Sequence, residues 1–248
     1  MNAVSDLAVL LQRPGGLRPC ATCGVRQISV CDAIPDTGLA RLGACAIGGA
    51  ARPGTLFVAE SDPATAFFNI ISGTARLYKL LPDGRRQITG FADAGNFLGL
   101  AVSDTYAFSA EAIDTVRYCV FPRVRLHALM QEFPDLEARL LKFASTELVA
   151  AQEQILLLGR KSARERVASF LVARARRVNL DAGLPGNFVL PMARGDIADY
   201  LGITVETVVR TLRKLRNEGL IEIANTSEVA ICDWAMLHSL ASGSHRGG

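Results

Sequence analysis

Three of the six cysteines of this sequence crowd near its N-terminus, in the stretch RPCATCGVRQISVCDAI. Cys20, Cys23 and Cys31 form the pattern C-x2-C-x7-C. Thiols at such spacing could form a disulfide knot, bind zinc or hold an iron–sulfur cluster. The stretch that precedes them lacks the basic n-region of a secretory signal, so we expect a cytoplasmic protein whose thiols stay reduced. The pattern therefore favours a metal or redox role, and zinc and iron–sulfur both stay open.

The other residues that could do chemistry are scattered. His127, His238 and His245 lie far apart in the sequence, and we assign none of them a ligand role. Cys45 and Cys232 are expected to be small buried hydrophobes, with Cys45 kept open as an accessory or replacement ligand. The sequence shows no nucleophile–base pair, phosphate-binding loop or paired catalytic carboxylates. It therefore predicts a protein that is not an enzyme.

Length and composition indicate an ordinary globular protein of about two domains. The chain has 248 residues, of which 50% are hydrophobic and 21% are charged. No apolar run approaches the ~20 residues of a membrane span, so we expect no membrane partner. Residues 159–248 carry 13 Lys+Arg against 9 Asp+Glu, a net charge of +4. This basic C-terminal part indicates a polyanionic partner.

The elements that must position the thiols begin with a β-rich region. We expect an N-terminal arm with the three cysteines at 1–34 and a sensory domain at 35–134. Within that domain, FFNIISGTARLYKLLPDGRRQITGF predicts three strands. Pro82-Asp83-Gly84 predicts a turn between two of them, because Pro presets φ and Gly accepts a positive φ. Short strands at this spacing predict a sandwich or a rolled barrel.

A long helix is predicted over residues 135–159. Its apolar residues recur at alternating spacings of three and four, which is the pattern of a coiled-coil seam. The seam residues are Leu141, Ala144, Leu148, Ala151, Ile155 and Leu158. Such a helix could pack on its own domain, but its place between two domains favours contact with a second copy of the chain. We therefore predict a homodimer.

A DNA-reading domain is predicted at 160–240, followed by a disordered tail at 241–248. Ser162 and Glu165 form a capping box that starts its first helix. The stretch RGDIADYLGITVETVVRTLRKLRNEG predicts helix, tight turn and helix, with Gly202 in the turn and Thr204 as the cap of the second helix. GLIEIANTSEVAICD predicts two short strands, a wing. Together these features favour a winged helix-turn-helix over a plain helical hairpin.

The second helix of that motif carries the residues that could read bases. Arg210 can donate two hydrogen bonds to guanine, Glu206 can accept one from cytosine, and the Val209 methyls can pack on thymine. A further set of residues is better suited to contacting DNA phosphates. This set comprises Arg194, Thr204, Arg213, Lys214 and Arg216.

The order of a β-roll, a long helix and a winged helix-turn-helix resembles the CRP–FNR family of bacterial transcription regulators over nearly the whole chain. LLLGRKSARERVASFL, RGDIADYLGITVETVVRTL and GRRQITGF are similar to its FNR branch. The resemblance implies an α+β fold, with an N-terminal double-stranded β-helix like that of cyclic-nucleotide-binding domains, a dimerisation helix and a C-terminal winged helix-turn-helix. It also implies two partners, a palindromic TTGAT-like DNA site and RNA polymerase.

FNR-type oxygen regulators hold a [4Fe-4S] cluster with three N-terminal cysteines and one after the β-roll. The resemblance places these ligands at Cys20, Cys23, Cys31 and Cys119. It implies a sensor of oxygen, and also of nitric oxide, in which the cluster controls dimerisation and DNA binding. The alternative is a cluster-free regulator of the same family, with zinc or a thiol switch at the cysteines, since zinc also accepts four thiolates.

The sequence departs from the family at several positions. The cyclic-nucleotide branch has an acid and an Arg-Ser pair where this chain has Gly99-Leu100-Ala101 and Phe108-Ser109, so we expect no cyclic nucleotide. Val209 replaces a Ser of the recognition helix. Ala193 replaces a capping Thr, at a cost of ~1 kcal/mol. Ala151 replaces an acid of the seam, which removes a repulsion between two copies.

Overall fold

The computed structural model describes residues 20–100, 104–178, 187–225 and 227–244. The chain divides into two compact units, Met1–Val149 and Ala150–Gly248. Most of the predicted arm, Ala101 and the last residues of the predicted tail lie outside the described residues. The fold class is α+β, as the sequence predicts.

The first unit contains two four-stranded antiparallel sheets with the strand orders β1-β8-β3-β6 and β2-β7-β4-β5. The three strands predicted within residues 35–134 are confirmed as β3, β4 and β5, and Gly84 takes a φ of +84° in the turn that joins the last two. The strands are β1 (Ile47–Ala51), β2 (Leu56–Val58), β3 (Ala66–Ser72), β4 (Ala75–Leu80), β5 (Arg86–Ala92), β6 (Phe97–Leu98), β7 (Ser109–Ala112) and β8 (Val116–Pro122).

The two faces of the first sheet serve two separate cores, because successive side chains on a strand point to opposite faces. On β8, Tyr118 and Val120 join the core between the sheets, whereas Cys119 and Phe121 join a second core on the outer face. The inner core is densely filled by aromatic rings. The Phe57 and Tyr118 rings stack with centroids 5.0 Å apart, and the Phe68 ring lies 5.6 Å from that of Tyr118.

The outer core is closed by the N-terminal segment and by helices. These are a 3-10 helix at Val30–Ala33 and the helices α1 (Leu39–Cys45), α2 (Arg123–Glu132) and α3 (Pro134–Arg160). Their buried side chains pack with Phe67, Phe97 and Phe121 of the sheet; they are Val30, Ile34, Leu39, Leu42, Leu126, Leu129, Leu136 and Leu140. Helix α3 extends one residue beyond each end of the predicted helix.

The second unit is a winged helix-turn-helix. Its elements are α4 (Ala163–Val178), β9 (Phe188–Val189), α5 (Arg194–Leu201), α6 (Val205–Asn217), β10 (Ile221–Ala224), β11 (Glu228–Ile231) and α7 (Trp234–Ser242). The capping box before α4 is confirmed, because the Ser162 N–H donates to Glu165 Oε2 at 2.7 Å and the Glu165 N–H to Ser162 Oγ at 3.4 Å. The wing is also confirmed, and β9 adds a third strand to it. Helix α7 runs two residues into the predicted tail.

Candidate thiol site and nucleic-acid interface

The structure brings the four predicted ligands together on the outer face of the first sheet, and we name Cys20, Cys23, Cys31 and Cys119 the thiol site. Cys119 is placed there by the alternation of β8, and Cys31 by the 3-10 helix that covers this face. Both are buried, whereas Cys20 and Cys23 are half-buried. The site therefore has a buried inner side and a more open outer side.

The loop that carries the three N-terminal thiols is held by its own polar residues. Ser29 is fully buried; its hydroxyl donates to the Arg26 carbonyl at 3.1 Å and accepts from the Cys31 N–H at 3.3 Å. The Arg26 guanidinium donates to Asp36 at 2.7 Å and to the Ile34 carbonyl at 2.8 Å. These bonds fix the backbone between Cys23 and Cys31, so the seven residues between these two cysteines form an ordered loop.

The thiol pKa values show that the four groups act on one another. Burial, and after it the neighbouring thiolates of Cys31, Cys23 and Cys20 in that order, raise the pKa of Cys119 to about 12. Burial likewise raises the pKa of Cys31 to about 11, opposed by the bond from Ser29. Because thiolate charges are unfavourable here, a bound cationic group would stabilise the deprotonated site.

The other two cysteines stand outside this group. Burial raises the pKa of Cys45, and the charged groups that act on it are Arg125, Arg41 and Glu132. Cys45 is half-buried and Cys232 is exposed, so the prediction that both are buried hydrophobes is wrong. Cys45 ends α1 and Cys232 follows the last wing strand, and both positions leave a small side chain partly in solvent.

The donor chemistry of the thiol site fits two kinds of group. Among the described residues, no three or more His, Cys, Asp or Glu side chains are grouped to hold a single metal ion. Four thiolates are the donor set of a [4Fe-4S] cubane, with one Cys on each iron, and also of tetrahedral zinc.

The second site is the helix-turn-helix formed by α5 and α6. Gly202 takes a left-handed φ of +62° between the helices, and Thr204 caps α6 by accepting the Thr207 N–H at 3.2 Å, as predicted. At the start of α5, Ala193 has no side-chain oxygen to act as a cap. The Asp196 carboxylate still accepts the Ala193 N–H at 3.3 Å, which is half of a capping box.

Helix α6 turns its predicted reading residues to solvent. Val208, Leu212 and Leu215 are buried against the domain, whereas the opposite face is exposed. Val205, in the first turn of the helix, is 42% exposed. The exposed residues include Glu206, Val209, Arg210, Arg213, Lys214 and Arg216. Arg194 is half-buried at the start of α5, and its burial lowers its pKa.

A hydroxyl pair that the sequence reading missed organises the start of this face. Thr207 Oγ1 lies 3.1 Å from Thr204 Oγ1 and accepts from Arg210 Nη2 at 3.3 Å. The bond holds the Arg210 guanidinium along the helix. The available signal was the spacing, since a Thr three residues before an Arg on a helix shares its face. The pKa of Glu206 is lowered by its own backbone N–H and by the Thr204 hydroxyl, which keeps it ionised as an acceptor.

The last turns of α3 are fastened to the helix-turn-helix within the second unit. The Arg166 guanidinium donates to the carbonyls of Leu158 and Leu201, each at 2.8 Å, and Arg166 Nε donates to that of Lys161 at 2.9 Å. Gln154 Nε2 donates to the Tyr200 carbonyl at 2.9 Å. These carbonyls lie near the ends of α3 and α5, where helices leave acceptors free.

The predicted seam on α3 is largely uncovered in the single chain. Leu141, Leu148 and Ile155 are 69%, 61% and 72% exposed, and Ala151 is exposed as well. Ala144 and Leu158 are half-buried. A row of large exposed aliphatic side chains along one helix is typical of a protein–protein contact.

Comparison with known proteins agrees with this architecture. A family model described as a Crp-like helix-turn-helix domain matches residues 165–240, and one described as a cyclic nucleotide-binding domain matches residues 50–133. The nitrogen fixation regulation protein FixK of Bradyrhizobium diazoefficiens is 39% identical over 235 residues, which cover 95% of this chain and 98% of that protein. The chain belongs to the CRP–FNR family of transcription regulators.

Other members of the CRP–FNR family are similar over most of their length. The transcriptional activatory protein AadR of Rhodopseudomonas palustris is 43% identical over 208 residues, which cover 84% of this chain and 87% of that protein. The structure of FixK2 from Bradyrhizobium japonicum matches with a TM-score of 0.74 at 35% identity, over 79% of this chain and 96% of that one. These relatives are regulators and not enzymes, as predicted for this chain. In the part of the chain that the structure describes, no helix is both long and apolar enough to cross a membrane.

Proposed function

We propose that this CRP–FNR protein is an oxygen-responsive regulator, with nitric oxide as a second signal, that holds a [4Fe-4S] cluster in the thiol site. It binds a palindromic TTGAT-like site as a homodimer and recruits RNA polymerase. The observation that carries the proposal is the convergence of four thiols, in which burial and the neighbouring thiols raise the pKa values of Cys20, Cys31 and Cys119. The members of this set come from the N-terminal loop and from β8.

The residues of the thiol site link the loop to the sheet and to α3. When bound, the cluster would supply a redox-sensitive group whose positive iron atoms offset charge on the four thiolates, two of which are buried. Cys20, Cys23 and Cys31 then tie the loop to Cys119. Asp32, next to Cys31, lies 3.9 Å from the Arg139 guanidinium of α3. A change in the loop therefore reaches the first turns of the helix that carries the seam.

The β-roll of this chain is not proposed to bind a cyclic nucleotide. Its interior is occupied by three packed rings, with those of Phe57 and Tyr118 stacked and that of Phe68 edge-on to both. A Cβ at Gly49 would lie 2.3 Å from the Tyr118 ring, which measures how closely the interior is packed. A cyclic phosphate buried there would also lack the acid and the base that the family uses, and an unpaired buried charge is costly.

The test is to purify the protein without oxygen and to measure iron, acid-labile sulfide and binding to a TTGAT palindrome. We expect a brown protein with about four irons and four sulfides per chain, as a cubane held by four cysteines requires. Brief exposure to air should remove the colour and weaken specific binding together. A colourless anaerobic protein with one tightly bound zinc would instead establish the alternative of a zinc or thiol-switch regulator.

The dimer has its own test at the seam. Leu148→Glu and Ile155→Glu should each give monomers, because the symmetric contact would bury two like charges. Sedimentation of the anaerobic protein measures this, with Glu147→Gln, an exposed neighbour on the same helix, as the control. If the wild-type protein is monomeric under every condition, the seam residues do not form a dimer contact. Fully dimeric protein in air would mean that the thiol site acts on the orientation of the helix-turn-helix instead.

A further inference from the structure

Asn69 is a buried polar residue in the wall of the thiol site. It stands in the middle of β3, its exposure is 1%, and its Oδ1 atom has no hydrogen-bond partner among the described residues. Buried side-chain amides nearly always find partners, because losing hydrogen bonds to water without replacement is unfavourable. The Oδ1 atom of Asn69 therefore indicates that something which bonds to it is absent.

The register of the sheet places Asn69 beside a ligand. Asn69 is paired directly with Cys119 of β8 and, on its other side, with Phe97 of β6. Residues that face each other on antiparallel strands project from the same face, with Cβ atoms roughly 4.5–5.5 Å apart. The neighbours of Asn69 agree, since Phe68 and Ile70 join the inner core. The amide thus belongs to the outer face, where the thiols are.

The rest of that face offers the amide little else. The buried rings of this core are those of Phe67, Phe97 and Phe121, and Leu140 closes it from α3; Phe133 and Phe143 pack against it. Hydrocarbon and aromatic groups of this kind do not replace a lost hydrogen bond. The sulfur of Cys119 is the polar group that the register sets opposite Asn69. A thiol there can donate weakly, and a thiolate can only accept.

We infer that Asn69 is a positioning residue for Cys119. Its NH2 group donates to the Cys119 thiolate when the [4Fe-4S] cluster is bound. A half-turn about the last bond of the amide exchanges oxygen and nitrogen, so the position that has no partner can carry the NH2 group. This inference rests on the proposed function.

Hydrogen bonds to cluster sulfurs and ligand thiolates raise the reduction potential and hold the ligands in place. Asn69→Leu keeps the approximate size of the side chain and removes the bond to Cys119. We expect anaerobic Asn69→Leu protein to retain its four irons. We expect its reduction potential to fall by about 59 mV, equivalent to tenfold in a one-electron equilibrium. In air, its visible absorbance should decay several-fold faster than that of wild type.

Ile70→Val is the matched control, because it changes the adjacent residue on the same strand, whose side chain faces the inner core. It should leave potential and decay rate unchanged. The second readout is the iron–sulfur stretching region of the resonance Raman spectrum in H2O and in D2O. Wild type should show a deuterium shift that Asn69→Leu has lost. A merely structural role for Asn69 would move neither the potential nor this shift.

The outcomes separate this inference from the proposed function. Wild type without iron and sulfide overturns the proposed cofactor, and the inference with it. Wild type with a full cluster, together with an Asn69→Leu variant of unchanged potential and deuterium shift, overturns the inference alone. If Asn69→Leu does not fold, Asn69→Ala decides, because its smaller side chain also has no proton to donate. The Asn69→Ala protein should lose the deuterium shift, and retention of that shift would refute the role of Asn69.

Discussion

Cys20 and Cys119 come from opposite ends of the first unit, whereas all three residues expected to read bases stand on one 13-residue helix, α6. The thiol site forms only when the loop, the sheet and the outer core are in place. The reading face forms with its helix, and its first turn is already fixed by the hydroxyls of Thr204 and Thr207.

The two regions also treat charge differently. The thiol site is apolar around its inner side, so ionisation there is unfavourable until a cation binds. The charged side chains of α6 are exposed to solvent, where they can contact phosphates and bases. The charge state of the thiol site can therefore change when a ligand binds, whereas the face of α6 is already exposed before DNA binds. This contrast can be tested one region at a time.

The largest effect is expected from the thiol site. Cys119→Ser should abolish cluster binding, because a cubane needs its fourth ligand and the sheet offers no replacement at that position. Iron and sulfide content after anaerobic purification measures this, and Ser at Cys20, Cys23 or Cys31 should act alike. Cys232→Ser changes an exposed thiol of the second unit and should retain all the iron. Iron retained by Cys119→Ser would mean that the cluster has other ligands.

The next effect concerns the protein without metal. Because the folded pKa of Cys119 is about 12 and its ordinary value is 9.0, the unfolded chain loses this proton first as the pH rises. The folded state then binds more protons, so the free energy of unfolding falls between about pH 9 and pH 12. Urea titrations at pH 8 and pH 10.5 should show this loss, and it should be smaller in Cys119→Ser. Equal losses in both proteins would contradict the burial of this thiol.

A smaller effect is expected on the reading face. Arg210→Ala should cost roughly 1–3 kcal/mol of binding to the palindrome and relax the choice of guanine. Lys214→Ala should weaken all sequences similarly and reduce the salt dependence, since a phosphate contact carries no base information. Val209→Ser should alter discrimination at the outer thymines only. The measurement is a titration against single-base variants at fixed salt; a uniform loss for Arg210→Ala would make Arg210 a phosphate contact.

The smallest effect is at the cap of α5. Ala193→Thr supplies a side-chain oxygen for the Asp196 N–H and completes the capping box, which should add ~1 kcal/mol to the free energy of unfolding. Thermal unfolding of the two proteins measures it. Ala163→Thr, at the start of α4 where Ser162 already caps, is the control and should give no gain. A gain at both positions would show that Thr acts there by some means other than capping.

Local patterns explain what the sequence predicts well. The turn at Gly84, the cap at Thr204 and the box at Ser162 each depend on a few adjacent residues, and all are confirmed. The placement of Cys119 beside the loop was predicted only from the family resemblance, because the spacing of nearby residues does not predict which distant strands pair. The exposure of Cys45 and the partnerless oxygen of Asn69 depend on the packed core in the same way.

Arg166 has a mechanical consequence. A guanidinium bonded to the carbonyls of both Leu158 and Leu201 cannot follow one helix and leave the other. Torque on the last turn of α3 is therefore delivered to α5 instead of being absorbed by the short link before α4. The planar fork of Arg makes this joint stiff, and a flexible Lys at the same place would let the two helices turn independently. The stiffness of this joint therefore sets how small a rotation of α3 can be transmitted to the helix-turn-helix.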